Sequence, residues 1–444
     1  MEFTNLFFLF LFLPLGICIY YLTPGNKGKN IVLLILSLLF YAYGDIRTLS
    51  LIILLSVCNY LLGKQIPRHR LWLSLSVSIN VLILVFFKIF SKELPLGLSF
   101  YTFSLIAYAA DIHRKKTEPC KSVLEFFLFV CLFPKLLMGP IVRYEELKEQ
   151  LRGRIHEPSK VYVGCARFFL GLGSKVLLAD PLYEIYSQLM VQNSTLAAWG
   201  GAGAFMLYIY FEFSGYAHMA IGLAKIFGFD FCENFHRPYL SCTVSDFWRR
   251  WHISLGACFR DYVYIPLGGN RKGIYRQWLN LFVVWLLTGL WHGTTLPFLL
   301  WGMYFFLLFL LEKTFMKQYR RVPKILRFLV TQFFVLMGWV IFAAKDGPAL
   351  YYSLARMFLP SSGAPQAALL VLKNRMLLLG LCLFFTFPAS YLEAFFRRVF
   401  YSCKNRFVRG LLLTISGCIL LAILLLCTAS LLSGSSKPSM YALF

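Results

Sequence analysis

The sequence predicts an all-α polytopic membrane protein of about 12 transmembrane spans, and its composition is the first reason. Of its 444 residues, 59% are hydrophobic and 14% are charged, against about 45–50% and about 25% in an ordinary soluble domain. The mean hydropathy is +0.67. A span takes roughly 20 apolar residues, so the apolar residues suffice for about a dozen spans. Soluble, disordered and fibrous classes are excluded.

The second reason is that long apolar runs alternate with short polar loops. We expect each run to form a helix, because backbone polar groups in lipid must be satisfied within the protein. Nothing between the runs is large enough for a soluble domain, so residues 1–444 are predicted to form one membrane-embedded domain. The predicted spans lie at about residues 5–22, 30–44, 48–63, 71–88, 97–110, 161–178, 198–224, 277–293, 296–312, 325–343, 374–392 and 410–432.

The third reason is the position of the basic residues. The chain has 44 Lys and Arg against 20 Asp and Glu, a formal net charge of +24. Cytoplasmic loops collect Lys and Arg and face anionic lipid, so this surplus indicates a membrane and not a nucleic acid. Basic loops follow alternate runs, as at Lys27, Lys64 and Arg114. If all of these loops are cytoplasmic, both termini lie outside.

Two apolar segments do not fit as simple spans, because each lies between two loops that we expect in the cytoplasm. Residues 122–141 contain F-P-K and M-G-P, which interrupt a helix. Residues 231–270 mix aromatic residues with Arg, Asp, His and Pro. Irregular backbone at membrane depth requires surrounding protein or a water-filled cavity. Both segments are therefore predicted to be re-entrant or buried elements beside a cavity.

The candidates for catalysis are histidines. The twelve cysteines are scattered singly, with no C-x-x-C pair and no Cys/His cluster at zinc spacing, so neither disulfides nor a metal site is expected. No G-x-S-x-G motif nominates a serine nucleophile. His292 lies in L-L-T-G-L-W-H-G, at the end of an apolar run. A polar ring at that depth is costly and usually functional, but a structural histidine bonded to a carbonyl is an equal alternative.

A second histidine, His252, lies in D-F-W-R-R-W-H-I-S-L. If this stretch is helical, Trp248 and His252 share one face, as do Arg249 and Ile253. Arg249 and Arg250 can bind phosphate or carboxylate through forked hydrogen bonds. Position alone favours the other interpretation, an amphipathic helix that anchors the chain at the cytoplasmic interface.

Two further features carry charge near these histidines. The turn-rich loop I-P-L-G-G-N-R-K-G places Arg271 and Lys272 where they can hold an anion, although it lacks the spacing of a nucleotide-hydrolysing loop. Glu212 lies inside a long apolar run, where a carboxylate needs a partner or a proton. We expect Glu212 to pair with an Arg or His of the 231–270 segment, and favour this over catalysis.

Taken together and in order, these motifs resemble the membrane-bound O-acyltransferase family. They are F-E-F-S-G-Y-A-H-M-A-I-G-L, R-P-Y-L, S-D-F-W-R-R-W-H-I-S-L, R-D-Y-V-Y-I-P-L-G-G-N-R-K-G and L-T-G-L-W-H-G, preceded by Y-A-Y-G-D, N-Y-L-L-G, G-L-S-F-Y-T-F and M-G-P-I-V-R-Y. The resemblance extends from about residue 40 to about residue 312, and is strongest to the bacterial branch that O-acetylates alginate.

The resemblance implies a ring-shaped helical bundle around a funnel and tunnel, with His292 as the family's hallmark histidine and His252 as its second. It implies transfer of an acyl group from a cytoplasmic thioester, most simply acetyl-CoA, with no bound cofactor. The acceptor would be an exported polysaccharide or cell-envelope polymer, presented by an exoplasmic partner protein at the bacterial cytoplasmic membrane. One departure, Ala217-His218 where the alginate branch has Ser-Asp, concerns the acceptor more than the reaction.

The candidate site therefore has two parts. The catalytic candidates are His292 and His252. The candidates for binding the donor are Arg249, Arg250, Arg271, Lys272, Trp248, Trp291 and Asp246. Two other functions stay open on the sequence: a transporter or channel whose broken helices bind substrate near the mid-membrane, and acyl transfer to a lipid or a protein.

The predicted topology can be tested with a single cysteine in the 271–273 loop of a chain from which the native cysteines are removed. This cysteine should react only with a reagent that reaches the cytoplasmic face, because the 231–270 segment enters and leaves on that side. Labelling by an impermeant reagent from outside sealed cells would contradict the proposed orientation.

Overall fold

The computed structural model describes residues 1–91, 94–319, 321–359, 363–386 and 406–434. Over these residues the chain is helical, with turns and loops between the helices and no strand. The predicted all-α fold class is confirmed. The helices as far as residue 190 are α1 (Phe8–Leu22), α2 (Asn26–Asp45), α3 (Leu49–Gln65), α4 (Leu71–Phe90), α5 (Leu98–His113), α6 (Val123–Cys131), α7 (Phe133–Leu136), α8 (Tyr144–Arg152) and α9 (Pro158–Met190).

The rest of the chain contains the long helix α10 and the broken segment that carries His252. Its helices are α10 (Thr195–Ile226), α11 (Val244–Arg250), α12 (Ile253–Phe259), α13 (Ile274–His292), α14 (Leu296–Tyr319), α15 (Lys324–Ala343), α16 (Gly347–Phe358), α17 (Gln366–Asn374), α18 (Met376–Thr386) and α19 (Arg406–Leu432).

The predicted apolar runs coincide with helices, apart from the end of the 374–392 run, which lies outside the described residues. Length and composition alone qualify six described helices to cross a membrane, namely α2, α4, α9, α14, α15 and α19. The pair α17 and α18, bent by 63°, makes a seventh if it is one span. The protein is therefore polytopic, and the predicted number of about 12 spans stays a prediction.

Helix α10 forms the centre of the bundle. It has 32 residues and is buried along most of its length, which corresponds to about 48 Å of helix. A helix that is apolar on every side belongs in a protein interior or a membrane core. Neighbouring helices cover α10 from several directions. Its side chains contact α9 on one face and the broken 231–270 segment on another.

The contact between α9 and α10 depends on two pairs of glycines. A Cβ added to Gly222 would lie 2.6 Å from the carbonyl oxygen of Gly164, and one added to Gly171 would lie 2.6 Å from that of Gly215. Small residues let helices in membranes approach until their backbones touch. The two antiparallel helices therefore pack at a distance that no larger residue permits.

A buried ionic group lies on the same pair of helices. The Lys175 ammonium on α9 is 2.9 Å from Glu212 on α10 and 2.6 Å from Asp180. All three side chains are almost completely buried. The prediction that Glu212 pairs with Arg or His of the 231–270 segment is wrong, because a π-helical turn over Ser174–Ala179 places Lys175 against it. The ion pair with Lys175 is consistent with the other part of that prediction, which favoured a structural over a catalytic role for Glu212.

The apolar segment at 122–141 is interrupted, as its prolines indicate. Helix α6 ends at Cys131, and α7 begins at Phe133 with Pro134 in its first turn. The chain from Leu128 to Leu136 is buried throughout. The backbone N–H of Phe133 donates to the Ser37 hydroxyl on α2 at 3.1 Å, which gives the broken helix one of the partners that it lacks internally.

The glycine contact predicts that Gly222→Ala destabilises the protein by about 1–3 kcal/mol, the usual cost of an overpacked interior. Gly203, on the same helix, has no atom within 4 Å of an added Cβ. Gly203→Ala should be neutral or stabilising by about 0.5–1 kcal/mol, since alanine favours helix more than glycine does. The melting temperature of each purified variant measures the difference. Equal melting temperatures would contradict the close contact.

Candidate active site

The segment that carries His252 is not one helix. Helix α11 ends at Arg250, Trp251 is extended, and His252 has a φ of +45°. The prediction that Trp248 and His252 share a helix face is therefore wrong, and the same break separates Arg249 from Ile253. A left-handed backbone costs a residue other than glycine about 1–2 kcal/mol, so surrounding structure must hold this conformation.

That surrounding structure is the stretch of chain just before α11. The backbone N–H of His236 donates to the Arg250 carbonyl at 2.9 Å, and the N–H of Ile253 donates to the Asn234 carbonyl at 3.0 Å. These bonds satisfy backbone groups on either side of the break, which a continuous helix would have satisfied internally. The chain turns at His252 because its polar groups find partners across the segment.

The side chain of Asn234 sets the orientation of the His252 ring. Its Oδ1 accepts from the Ser254 backbone N–H at 3.2 Å and from the Ser254 hydroxyl at 2.9 Å. Since a backbone N–H is always a donor, this atom is the amide oxygen. The His252 Nδ1, 3.2 Å from the same oxygen, therefore carries the hydrogen in the neutral ring. Its Nε2 is left with a lone pair.

The free nitrogen of His252 is enclosed. The residue is 3% exposed, and Nε2 is buried with no hydrogen-bond partner among the described residues. The Phe213 ring of α10 meets the imidazole edge-to-face, with ring centroids 4.6 Å apart. An unsatisfied buried polar atom costs about 1–3 kcal/mol. Such an atom in a native protein requires an explanation, and a catalytic role is one of those known.

His292 is the last residue of α13, and aromatic rings surround it. Its ring centroid is 4.5 Å from that of Trp291 and 5.0 Å from those of Trp301 and Phe342, all edge-to-face. The residue is 7% exposed. The indole N–H groups of Trp291 and Trp301 have no partner among the described residues. The imidazole therefore lies in an apolar setting with two unused hydrogen-bond donors beside it.

One tryptophan connects the two histidines. The ring of Trp291 is 4.5 Å from His292 and 6.2 Å from His252, and the Phe103 ring of α5 lies 5.8 Å from it. His252 is thus brought close to Trp291 and His292, which are neighbours on α13. Trp248 lies one ring further out, 5.5 Å edge-to-face from Trp301, and belongs to the aromatic packing around the site.

The predicted donor-binding charges have local partners or face the solvent. Arg250 donates to Asp246 at 3.0 Å, and Arg249 donates to the Ser245 carbonyl at 3.2 Å. Arg271 and Lys272 are exposed. Asp246 partly neutralises Arg250, which leaves Arg249 and the loop cations as the freer charges.

A second charged group connects α5 to the end of the broken segment, and the sequence did not reveal it. Arg143 donates to the Asp261 carboxylate at 2.7 Å, and Arg114 donates to the Asp261 backbone carbonyl at 2.7 Å. The Tyr262 hydroxyl donates to Asp111 at 2.7 Å. Arg143 and Asp261 belong to the motifs M-G-P-I-V-R-Y and R-D-Y-V-Y, but nothing in the spacing of these motifs indicates that the two residues are partners.

Asn234 was also missed, because an asparagine between a glutamate and a phenylalanine resembles an ordinary loop residue. Its loop is held by Asp230, whose carboxylate accepts from Lys225 at 2.8 Å and from Lys160 at 3.0 Å. Burial by itself raises the pKa of Asp230, and the hydrogen bonds from Lys225 and Lys160 outweigh that effect and lower it. This carboxylate is ionised at neutral pH, so its contacts with the two lysines hold the loop that carries Asn234.

Two buried imidazoles, one with an oriented nitrogen, thus lie within the helical bundle of a polytopic membrane protein. A sequence profile of the membrane-bound O-acyltransferase family matches residues 38–345. The chain belongs to this family and is an acyltransferase. The match covers the expected range of about 40 to about 312 and extends beyond it. Family membership decides against the transporter or channel alternative.

The similarity to individual proteins extends over most of the chain. It is 40% identical to the probable alginate O-acetylase AlgI of Pseudomonas fluorescens, over 78% of this chain and 73% of that protein. It is 31% identical to the peptidoglycan O-acetyltransferase of Helicobacter pylori, over 76% of each. It is 30% identical to the teichoic acid D-alanyltransferase of Bacillus subtilis, over 56% of this chain and 69% of that protein.

The role of Asn234 can be tested by exchanging its amide. Asn234→Ala removes the acceptor that orients His252, and transfer activity should fall about 10–100-fold, the loss seen when groups that orient metal-binding histidines are removed. Asn234→Asp keeps the acceptor but adds a charge that stabilises protonated imidazole. The acid limb of its pH–activity profile should move to higher pH. An unchanged profile at equal abundance would mean that Asn234 only supports the fold.

Proposed function

We propose that the protein transfers an acetyl group from cytoplasmic acetyl-CoA to an exported polysaccharide or another cell-envelope polymer. The names of the relatives support this class of acceptor, since they describe alginate, peptidoglycan and teichoic acid as substrates of those proteins. Two of these three names specify acetyl as the group transferred. A short acyl group also suits a site walled by aromatic rings.

In this proposal His292 is the general base. Its neutral imidazole takes the proton from the acceptor hydroxyl as the oxygen attacks the thioester carbonyl carbon. The carbon–sulfur bond then breaks, and the imidazolium returns the proton to the departing thiolate. The N–H groups of Trp291 and Trp301 are available to the oxyanion that forms between these steps. The apolar surroundings limit the competing attack by water.

In this proposal the Nε2 atom of His252 accepts a hydrogen bond or a proton and does not donate one. Sequence reasoning left three roles open: orienting the donor, shuttling the proton, or polarising the carbonyl. In the tautomer that Asn234 selects, the neutral ring presents a lone pair at Nε2, and a lone pair cannot polarise a carbonyl oxygen. We therefore assign His252 to holding an N–H of the donor arm or to receiving the proton.

The donor is proposed to arrive from the cytoplasm along the 231–270 segment, which enters the membrane from that side and leaves on it, as does the 122–141 segment. Arg249, Arg250, Arg271 and Lys272 attract its negative charge at that surface. Arg271 and Lys272 are exposed, which suits attraction over a distance. Trp291 and, one ring further out, Trp248 border the path of the thioester.

The acceptor side requires a partner in this proposal. The polymer lies outside the bacterial cytoplasmic membrane, so an exoplasmic acyltransferase or esterase-like protein collects the acetyl group and places it on the polymer. Transfer to a lipid or to a protein as the final acceptor is the alternative.

The arrangement of His252, Trp291 and His292 carries the proposed function, because it joins an oriented lone pair to a second buried imidazole. Purified protein in vesicles, given radiolabelled acetyl-CoA and isolated polymer with its periplasmic proteins, tests the whole proposal. Label should move to the polymer fraction. Label found only on lipid or protein would mean that the acceptor is a lipid or a protein. Label that stays on CoA would contradict acetyl-CoA as the donor.

The role of His292 is tested by two substitutions. His292→Ala should lower transfer by about 10²–10⁴-fold, the usual contribution of a general base. His292→Gln can form a hydrogen bond but cannot take the proton, so it should be nearly as inactive as the alanine variant. If His292 is structural, the glutamine variant will keep much of its activity at equal abundance in the membrane, and His252 becomes the candidate base.

A further inference from the structure

One arginine, Arg167 on α9, joins α9 to α10 and to the loop between α10 and α11. Its Nε donates to the Nδ1 of His218 on α10 at 3.1 Å. Its Nη1 donates to one carboxylate oxygen of Glu233 at 2.7 Å, and its Nη2 donates to the other. Glu233 lies in the loop that leads into the broken segment. A single guanidinium therefore fastens this loop to two helices.

The geometry of this contact makes it stronger than an ordinary surface ion pair. The Arg167 side chain is 16% exposed and that of Glu233 is 55% exposed. Exposed ion pairs contribute little, because two mobile side chains must be held in one arrangement. Here the planar fork of the guanidinium matches both carboxylate oxygens. The remaining Nε–H is bonded to His218, so the guanidinium is held from two sides.

The position of His218 follows from the glycine contact between the two helices. Gly171 lies one helical turn after Arg167, and a Cβ added to it would lie 3.0 Å from the Cβ of His218. The close approach of α10 thus brings the imidazole within reach of Arg167. Because a guanidinium only donates, Nδ1 is the acceptor and the neutral ring carries its hydrogen on Nε2. A neutral partner leaves the charge of Arg167 to Glu233.

The same loop is held from α9 at a second point. Lys160 is 3.0 Å from Asp230, which lies three residues before Glu233. Lys160 and Arg167 are seven residues apart, about two helical turns, so they project from the same side of α9. The loop is therefore tied near both of its ends to the helix whose glycines touch α10.

The loop leads directly to the oriented histidine. Asn234 follows Glu233 in the chain and is 1% exposed. Its Oδ1 lies 3.2 Å from the Nδ1 of His252, and its carbonyl accepts from the Ile253 N–H at 3.0 Å. A movement of the backbone at Glu233 would therefore move the amide that orients the ring. A displacement of about 1 Å at a reacting group can cost about 10²-fold in rate.

We propose that Arg167 is a positioning residue for the acyl transfer. Through its carboxylate partner Glu233 it holds Asn234, and Asn234 holds the ring of His252. His218 fixes the guanidinium in the direction that this requires. None of the three residues Arg167, His218 and Glu233 touches the donor or the acceptor. The inference rests on the proposed function for the participation of His252 in the reaction.

A double-mutant cycle tests whether Arg167 acts through Asn234. Arg167→Gln should lower the rate of transfer about 3–10-fold, as expected for a partly exposed, bidentate charged pair. In the Asn234→Ala background the same substitution should cost less than about twofold, because the connection through which it acts has already been removed. Equal losses in the two backgrounds would mean that Arg167 supports the fold independently, and would overturn the proposal.

Two further variants keep the test sharp if Arg167→Gln folds poorly. Glu233→Gln preserves the size of a half-exposed side chain and should reproduce the loss and its dependence on Asn234. Arg375→Gln removes another arginine–glutamate pair on α9, in which Arg375 is 3.5 Å from Glu184. This matched control should transfer at the rate of the wild type. Full activity in Glu233→Gln, or an equal loss in Arg375→Gln, would contradict the assignment.

Hydrogen exchange in the purified protein tests the positioning without donor or acceptor. The N–H groups of Ile253 and Ser254 donate to Asn234, so they should exchange about 3–10-fold faster in Arg167→Gln and at the wild-type rate in Arg375→Gln. If exchange rises but even the wild type transfers no acetyl group, the positioning of His252 stands and the proposed function fails. If the wild type transfers but exchange is unchanged, the positioning fails and the function stands.

Discussion

The oxygen of one amide, that of Asn234, is the constraint on which the site depends. A broken helix inside a membrane leaves polar groups that lipid cannot satisfy. Asn234 Oδ1 receives both donors of Ser254 together with the His252 imidazole. The Ser254 hydroxyl in turn accepts from the N–H of Ile141, at the end of the other broken segment. The two irregular stretches are thus joined through one asparagine, which also selects the tautomer of a candidate catalytic ring.

The charged residues of the protein differ in whether they are buried with a partner or lie near the surface, and their functions differ accordingly. Inside the bundle, Lys175 is enclosed by Glu212 and Asp180, since a buried ion needs a partner. Near the predicted cytoplasmic surface, Arg143 and Asp261 form a structural link. At the surface, Arg271 and Lys272 are exposed, so their charge is available to attract a ligand.

The sequence was sufficient for the fold class, which follows from its apolar composition, and for the family, which its motifs resemble in order. It was insufficient where the outcome depends on contacts across the bundle. R-R-W-H-I-S-L contains no proline or glycine, so the break at His252 has no local signal. The partner of Glu212 lies on another helix, inside a run that was interpreted only as a span.

The glycine pairs between α9 and α10 also restrict how the bundle can move. Gly164 and Gly171 are seven residues apart, as are Gly215 and Gly222, so backbone meets backbone at two levels, two helical turns apart. A slide of one turn along the axis would bring side chains into both gaps at once. Shear between these helices is therefore blocked, and this side of the bundle acts as a fixed wall.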